Sequence, residues 1–477
     1  MARKITVIGS GPGGYIAAIR AAQLGGEVTL IEKESVGGTC LNWGCIPSKI
    51  LIHTAKMLEN FRRAEEFGIR SMGSVMPDLP KLMDRKEKVI KSQAQGINKL
   101  LEKNRIQYLK AKGFIEEPGR TTVKYEDGNT AEISYDGLIL AIGSYPISLS
   151  SIPFDGDRII SSNEALSLRQ IPQSILIVGG GVIGCEFAFV LAALGCKVTV
   201  VEALSRMLPL PSVDEDCSKI LQREMKKRKI KFLVNRSVES VEDQESSLAV
   251  TIGPSPFLEN ISPKDEEPKI ERVEKILVCV GRKPSTDHLG LENIGVHVDE
   301  KGWVIANEKM ETNIAGVYAI GDVLGPAKVM LAHVASAEGL VAAENAMQGS
   351  KKMDYTAVPG AIFTTPEIAN VGLTESQAKQ INDRVRSDSV LFRAMGKAQV
   401  VGEIAGMAKI VSDVDTGRIL GVHIVGSHAT DLIAEGTLAI KSGSSVKDLA
   451  ATIHAHPTFS EVMQETSFKA LDRSLHG

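Results

Sequence analysis

Cysteine is scarce in this chain: there are six in 477 residues, too few to staple a fold of that size together. Four of them, Cys185, Cys196, Cys217 and Cys279, stand at spacings that suit neither a metal site nor a pairing, and they read as small buried hydrophobes. An excess of positive charge is also missing. Lys and Arg number 55 against 58 Asp and Glu, a formal net charge of -3 with no long block of one sign, so nucleic acid is not an expected partner. No apolar run approaches the ~18 residues that a membrane-spanning helix needs. The first strand-like run, Ile5 to Ile8, begins so close to Met1 that no leader is expected ahead of it, and the chain reads as cytoplasmic.

What is there can bury several cores. With 43% hydrophobic residues, the length suggests about three domains of ~150 residues. One unit occurs twice: a strand, a glycine-rich turn, a helix, a second strand and a carboxylate, from Ile5 to Glu32 and again from Ile175 to Glu202. In each copy the carboxylate follows the third glycine by 18 positions, Gly14 to Glu32 and Gly184 to Glu202, close to the ~20 of a dinucleotide-binding turn. Gly9 permits the tight turn, Gly11 lets backbone approach a pyrophosphate, and Gly14 lets helix and strand pack. The helix N-terminus then favours the phosphate charge. Gly179, Gly180, Gly181 and Gly184 repeat the arrangement. Two such units imply two dinucleotides. Glu202 would accept a ribose 2′-hydroxyl and repel a 2′-phosphate, which predicts NAD over NADP in the second site; Arg206, four residues on, argues the other way.

Cys40 and Cys45 differ from the other cysteines. They lie in Gly37-Gly38-Thr39-Cys40-Leu41-Asn42-Trp43-Gly44-Cys45-Ile46-Pro47-Ser48-Lys49, just before an expected helix. A bridge closing so short a loop would contribute only ~2 kcal/mol through chain entropy, so a structural role is poorly motivated. A helix N-terminus lowers a thiol's pKa, and in a reducing compartment such a pair is better suited to catalysis.

Around these motifs the pattern predicts a helical stretch from about Ser48 to Lys103, a strand-rich segment ending in Leu138 to Gly143, and strands between Lys231 and Ile252. A solvated hairpin loop is expected over Gly253 to Pro268, and a buried strand over Ile276 to Gly281. From about Tyr355 short β runs and helices without a glycine fingerprint read as a separate α+β domain.

The motifs together resemble the pyridine nucleotide-disulfide oxidoreductases, essentially end to end. The likeness rests on the first glycine turn, Gly38 to Lys49, Gly179 to Glu186, Gly281-Arg282-Lys283-Pro284, Ile320-Gly321-Asp322, Met330-Leu331-Ala332-His333 and His454-Ala455-His456-Pro457-Thr458-Phe459-Ser460-Glu461. The resemblance implies an α/β fold with two Rossmann-like dinucleotide-binding domains and a C-terminal α+β dimerisation domain. It divides the chain into an FAD-binding domain at 1–146 and 280–348, an NAD-binding domain at 147–279 and an interface domain at 349–477. FAD and NAD are the implied cofactors, and no metal is expected.

The resemblance also implies roles. Cys40 would exchange with substrate sulfur, Cys45 would face the flavin, Lys49 would sit near the flavin N5, and Glu186 would be its ion-pair partner. His456 would be the acid–base group, a task that suits an imidazole, oriented by Glu461. Thr458 and Glu461 equally fit a helix capping box, and Glu186 fits an ordinary early-helix carboxylate. Asp322, expected to end a strand, would hold the ribityl chain. His333 would act chiefly through its backbone or simply pack. Further nucleotide contacts fall on Pro12, Gly13, Lys33, Gly38, Thr39, Gly113, Ile142, Gly143, Ser144, Val182, Ile183, Val238, Gly281, Arg282, Met330, Leu331 and Ala332. Ala141-Ile142-Gly143-Ser144 departs from the family's Ala-Thr-Gly-Ser by one hydroxyl.

The implied activity is oxidation of protein-bound dihydrolipoamide with NAD as acceptor. The implied partners are a second copy of the chain and the lipoyl domain of a 2-oxoacid dehydrogenase complex or the glycine cleavage H protein. An NAD(P)H-dependent reductase of glutathione or mercuric ion is the alternative, and a nucleotide-binding protein without catalysis a third. Glu202 argues against NADPH, and the absence of cysteine after Cys279 removes a C-terminal thiol relay.

Overall fold

The computed structural model describes residues 2–70, 73–258 and 267–476. They form two compact units, one of 1–50, 79–147 and 281–354, the other of 51–78, 148–280 and 355–477.

The first unit is built on a five-stranded parallel sheet whose order is Val317–Ala319, Gly137–Leu140, Lys4–Ile8, Glu27–Glu32, Gln107–Lys110. The three central strands are short runs of β-branched and aliphatic residues buried on both faces, as a parallel sheet covered by helices requires. The helix Pro12–Gln23 follows the central strand and buries Ala17, Ala18 and Ala21. A second small-residue helix, Ala332–Ala346, packs closely on it: a Cβ at Gly339 would come within 2.5 Å of the Gly13 carbonyl, and one at Gly13 within 2.9 Å of the Ala335 carbonyl. Gly13 thus serves helix packing.

In the second unit the order of four strands returns, Lys231–Leu233, Lys197–Val201, Ser174–Val178, Lys275–Val278, but the fifth, Ile159–Ile160, comes before them in the chain rather than after; all are parallel. An antiparallel three-stranded sheet contains Arg236–Gln244, Ser247–Pro254 and Lys269–Val273. Of the hairpin loop expected over 253–268, Gly253 and Pro254 instead end the strand Ser247–Pro254, and 259–266 lie outside the described residues. The same unit holds an antiparallel five-stranded sheet, Gly360–Ile362, Glu367–Gly372, Ile419–Gly426, Met407–Asp413, Val385–Leu391. Its core includes Phe392, Val422, Ile424, Val462 and Met463.

Two sequence expectations change. The stretch from Ser48 to Lys103 is not continuous helix: Cys45–Arg62 ends before a short 3-10 turn, and Leu79–Lys103 starts afresh. Asp322 does not end a strand; the strand stops at Ala319, and Asp322 lies in the 3-10 segment Gly321–Ala327. Positive φ at Gly321 and Gly325 makes that turn.

Among the described residues no helix is long and apolar enough to cross a membrane, and no cluster of His, Cys, Asp and Glu is arranged to hold a metal ion.

Candidate active site

The two glycine turns adopt the same geometry. Gly9 and Gly179 have φ of +99° and +105°, and a Cβ on either would strike the backbone of a neighbouring strand end, Ala141 O at 2.3 Å and Cys279 O at 2.5 Å. Gly14 and Gly184 would collide with the carbonyls of Gly9 and Gly179 at 1.9 and 2.0 Å. At Gly11 and Gly181 an added Cβ would meet nothing within 4 Å. That is open space in front of a helix N-terminus, where a pyrophosphate can be cradled.

Both carboxylates are buried and fixed in the same way. Glu32 accepts from Ser10 N and Ser10 Oγ at 2.8 Å on one oxygen and from Glu34 N at 2.8 Å on the other. Glu202 accepts from Gly180 N at 2.6 Å and Leu204 N at 2.8 Å. Each keeps spare lone pairs for a ribose. The residues therefore suit two dinucleotides. Arg206, which argued for NADP, donates to the carbonyls of Leu208, Leu210 and Val213 and to the Ser218 hydroxyl.

The dithiol segment is packed onto the first turn. Gly37 N donates to Ser10 O at 3.0 Å. A Cβ at Gly38, which has φ of +55°, would lie 2.7 Å from Gly11 Cα. Cys40 sits inside the short helix Gly38–Trp43, and Cys45 is the first residue of Cys45–Arg62. The Asn42 amide ties the loop by donating to Val36 O and Gly38 O at 3.1 and 2.9 Å.

The break at Gly44 brings the two sulfurs into hydrogen-bond contact. That contact, then burial and the charge Cys45 can carry, pushes the Cys40 thiol well above its ordinary range, while Lys49 pulls the other way. Neither thiol is fully buried. Among the other cysteines Cys185, Cys196 and Cys217 are buried as expected, whereas Cys279 is only partly so.

A polar chain runs through the same unit. Ser144 Oγ donates to Asp322 Oδ2 at 2.7 Å and accepts from Arg282 Nε at 2.7 Å, and Arg282 Nη2 donates to Ser144 O at 2.6 Å. Burial lowers the Arg282 pKa; Asp322 and then Cys45 support its charge. The hydroxyl that matters in Ala141-Ile142-Gly143-Ser144 is thus the one retained.

Sequence reasoning missed Glu338, which is fully buried and accepts from Gly321 N at 2.7 Å, fixing the turn that carries Asp322. Its only signal was a carboxylate on the apolar face of a small-residue helix. Met330 and Leu331 precede that helix, Ala332 opens it, and His333 is exposed on its first turn. Gly113 lies on a strand against Ile8 and Ile31, and Lys33 is exposed.

In the second unit Val182 and Ile183 open the helix that carries Glu186. Glu186 is buried and accepts from Phe363 N at 2.9 Å. Val238 packs against that unit's core. His456 Nδ1 lies 2.8 Å from Glu461 Oε1, and Glu461 Oε2 accepts from Thr458 N at 2.8 Å. Burial alone would raise the Glu461 carboxyl, but the bonds from His456 and Thr458 outweigh it and hold the carboxyl below its ordinary range. Glu461 is then an acceptor only, so Nδ1 donates and Nε2 is left to take a proton.

The capping box is half formed: Thr458 Oγ donates to Ala455 O instead of capping the helix, which begins at Glu461 with Ser460 as its N-cap. The imidazole is 76% exposed and its carboxylate 21%, so the base is presented outward on a held partner.

Comparisons with known proteins agree with this geometry. Residues 3–339 match the family described as Pyridine nucleotide-disulphide oxidoreductase, and residues 358–467 match its dimerisation domain. The chain is 40% identical over 472 residues to a protein named dihydrolipoyl dehydrogenase from Chlamydia trachomatis, covering 98% of this chain and 97% of that one. It is 40% identical over 481 residues to the dihydrolipoyl dehydrogenase of Bacillus subtilis, covering 99% and 98%. The solved structure of LpdA from Mycobacterium tuberculosis superposes with a TM-score of 0.89 at 27% identity, covering 98% of this chain and all of that one. With paired glycine turns, a dithiol built on the first of them and a match running from residue 3 to 467, the chain belongs to the pyridine nucleotide-disulphide oxidoreductases.

Proposed function

We propose that this protein is a dihydrolipoyl dehydrogenase: it oxidises protein-bound dihydrolipoamide to lipoamide and reduces NAD⁺ to NADH with release of one proton. The observation that carries the reading is the Cys40–Cys45 thiol pair seated directly on the first dinucleotide turn through Gly37 and Gly38. Gly9, Gly11, Gly14, Glu32 and Asp322 would hold FAD, and Gly179, Gly181, Gly184 and Glu202 would hold NAD. Bound FAD supplies a two-electron relay between a dithiol and a nicotinamide.

The chain's own residues do the sulfur chemistry. In the oxidised pair the sulfur of Cys40 is attacked by one substrate thiol as His456 Nε2 takes its proton, and Cys45 leaves as a thiolate. The second substrate sulfur then displaces Cys40, closing lipoamide and leaving a dithiol. In the reverse sense Cys40, a thiol that holds its proton, needs a base before it can attack. His456 supplies that base with Nε2, and Glu461 orients it. We assign the pair to the dithiol of a second copy of the chain, because His456 sits in the segment that matches the family's dimerisation domain. Commitment of Arg206 to carbonyls supports NAD over NADP. Residues 1–146 and 280–348 are the FAD domain, 147–279 the NAD domain and 349–477 the interface domain. A lipoyl domain in the cytoplasm is the partner.

The reading is tested by comparing NAD reduction by dihydrolipoamide with NADPH oxidation by glutathione disulfide on the purified flavoprotein. Turnover with the first pair and negligible turnover with the second is expected; the opposite result would make the protein a reductase of another disulfide.

A further inference from the structure

The segment that follows Glu202 is irregular, yet it is tightly tied. Leu204 N donates to the Glu202 carboxylate, and Leu204 O accepts from Asn235 N at 3.0 Å. Leu208 N donates to Gly180 O at 2.8 Å, inside the second glycine turn. Met207 and Leu208 are fully buried, and a Cβ at Gly180 would lie 2.8 Å from the Met207 thioether. The segment is thus the wall against which the second turn is built. Leu208 has φ of +51°, a left-handed conformation that a branched residue holds only where its surroundings impose it.

Arg206 imposes it. Nη1 donates to Leu208 O at 2.8 Å and to Ser218 Oγ, and Nη2 donates to Leu210 O at 3.0 Å and Val213 O at 2.9 Å. Four of the guanidinium's five N–H groups are spent on one loop and the helix after it. The Glu202 carboxylate is held by two neutral backbone amides, so its charge stands against a 2′-phosphate uncancelled.

Resting on the assignment of the pyridine nucleotide to this turn, we propose that Arg206 is a positioning residue for that nucleotide: its planar fork holds the loop 203–213 against Gly180 and so sets affinity for both NADH and NADPH without reading the 2′ position. A lysine cannot replace it, since one ammonium cannot span four acceptors set around a plane.

The test is calorimetric titration of the flavin-loaded protein with NADH and NADPH for wild type, Arg206→Ala, Arg206→Lys and Ser218→Ala, with hydrogen exchange of the 203–213 amides beside it. Arg206→Ala and Arg206→Lys should each weaken NADH about tenfold, the loss of one or two charge-assisted bonds. Both should speed exchange at Leu208, keep the NADH to NADPH affinity ratio within about twofold, and raise KM for NAD with kcat at saturation retained. Ser218→Ala, which removes a single acceptor, should give a smaller loss in the same direction and serves if the Arg206 variants lose their flavin or fail to fold. Unchanged NADH affinity, rescue by lysine, or a loss confined to NADPH would overturn the proposal. If wild type shows no NADH isotherm, it is the assignment of the turn that fails.

Discussion

A thiol that keeps its proton at neutral pH attacks disulfides slowly, and Cys40 is held in that condition by its contact with Cys45. Its reactivity in the reverse direction, like that of the substrate thiol in the forward one, then depends on a base, and the loss of His456 should show it. His456→Gln should lower turnover by about 10²–10⁴ with flavin content unchanged; a rate within threefold of wild type would leave the imidazole without a role. Cys45→Ser should abolish dihydrolipoamide oxidation while the protein still purifies yellow with one flavin per chain. Turnover surviving that change would mean that the pair is not the route. At Glu202 the buried carboxylate predicts a preference for NAD over NADP of at least tenfold, the ~1.4 kcal/mol that one misplaced charge readily supplies. Equal kcat/KM for the two nucleotides would refute its part in selection.

Between elements of the second unit, three carboxylates form a cage around Lys409. That side chain is 5% exposed and meets Asp214 at 3.1 Å, Asp216 at 3.0 Å and Glu375 at 2.7 Å, joining the sheet strand Met407–Asp413 to the start of helix Glu215–Lys227. Burial would raise the Glu375 carboxyl, but bonds from Lys379 and Lys409 bring it down to about 2. Because this folded value lies below the ~4.3 of an unfolded glutamate, its stabilising contribution is complete above that pH and vanishes as pH falls towards 2. Lys409→Met leaves the carboxylates without their cation and should cost about 3–5 kcal/mol at pH 7. The cost should shrink at pH 3, where the carboxylates of the variant bind protons. Urea unfolding of both proteins at the two pH values measures it, and a pH-independent cost would make the cage a packing effect.

Elements were legible in the sequence wherever their cause is local. Both glycine turns were, because conformation, spacing and carboxylate all fall within about thirty residues, and so was the placing of Cys45 at a helix start. Partners chosen through space were not. Nothing in the order of residues says that Arg206 spends itself on carbonyls, that Glu338 fixes the Asp322 turn, or that residues 51–78 pack with the second unit although the dithiol just before them packs in the first. Backbone acceptors carry no side-chain signature. The break between Arg62 and Leu79 was hidden because helical periodicity resumes on both sides of it.

At the scale of the whole molecule, the assignment of His456 to a second copy makes the dimer the working unit, with each chain giving the other the same group. Inactive Cys45→Ser chains mixed with inactive His456→Gln chains should recover up to about half the wild-type activity per heterodimer once subunits exchange, since each heterodimer has one intact site. No recovery despite proven exchange would place the base and the dithiol it serves in one chain.

The central claim is that substrate electrons enter at one sulfur pair. The most direct test mixes the oxidised flavoprotein anaerobically with one equivalent of dihydrolipoamide in the absence of NAD, traps thiols by alkylation and maps the labelled peptides. The account predicts new label on Cys40 and Cys45 alone, with the label absent when NAD is supplied first. New label elsewhere, or none on this pair while NADH still forms, would contradict it.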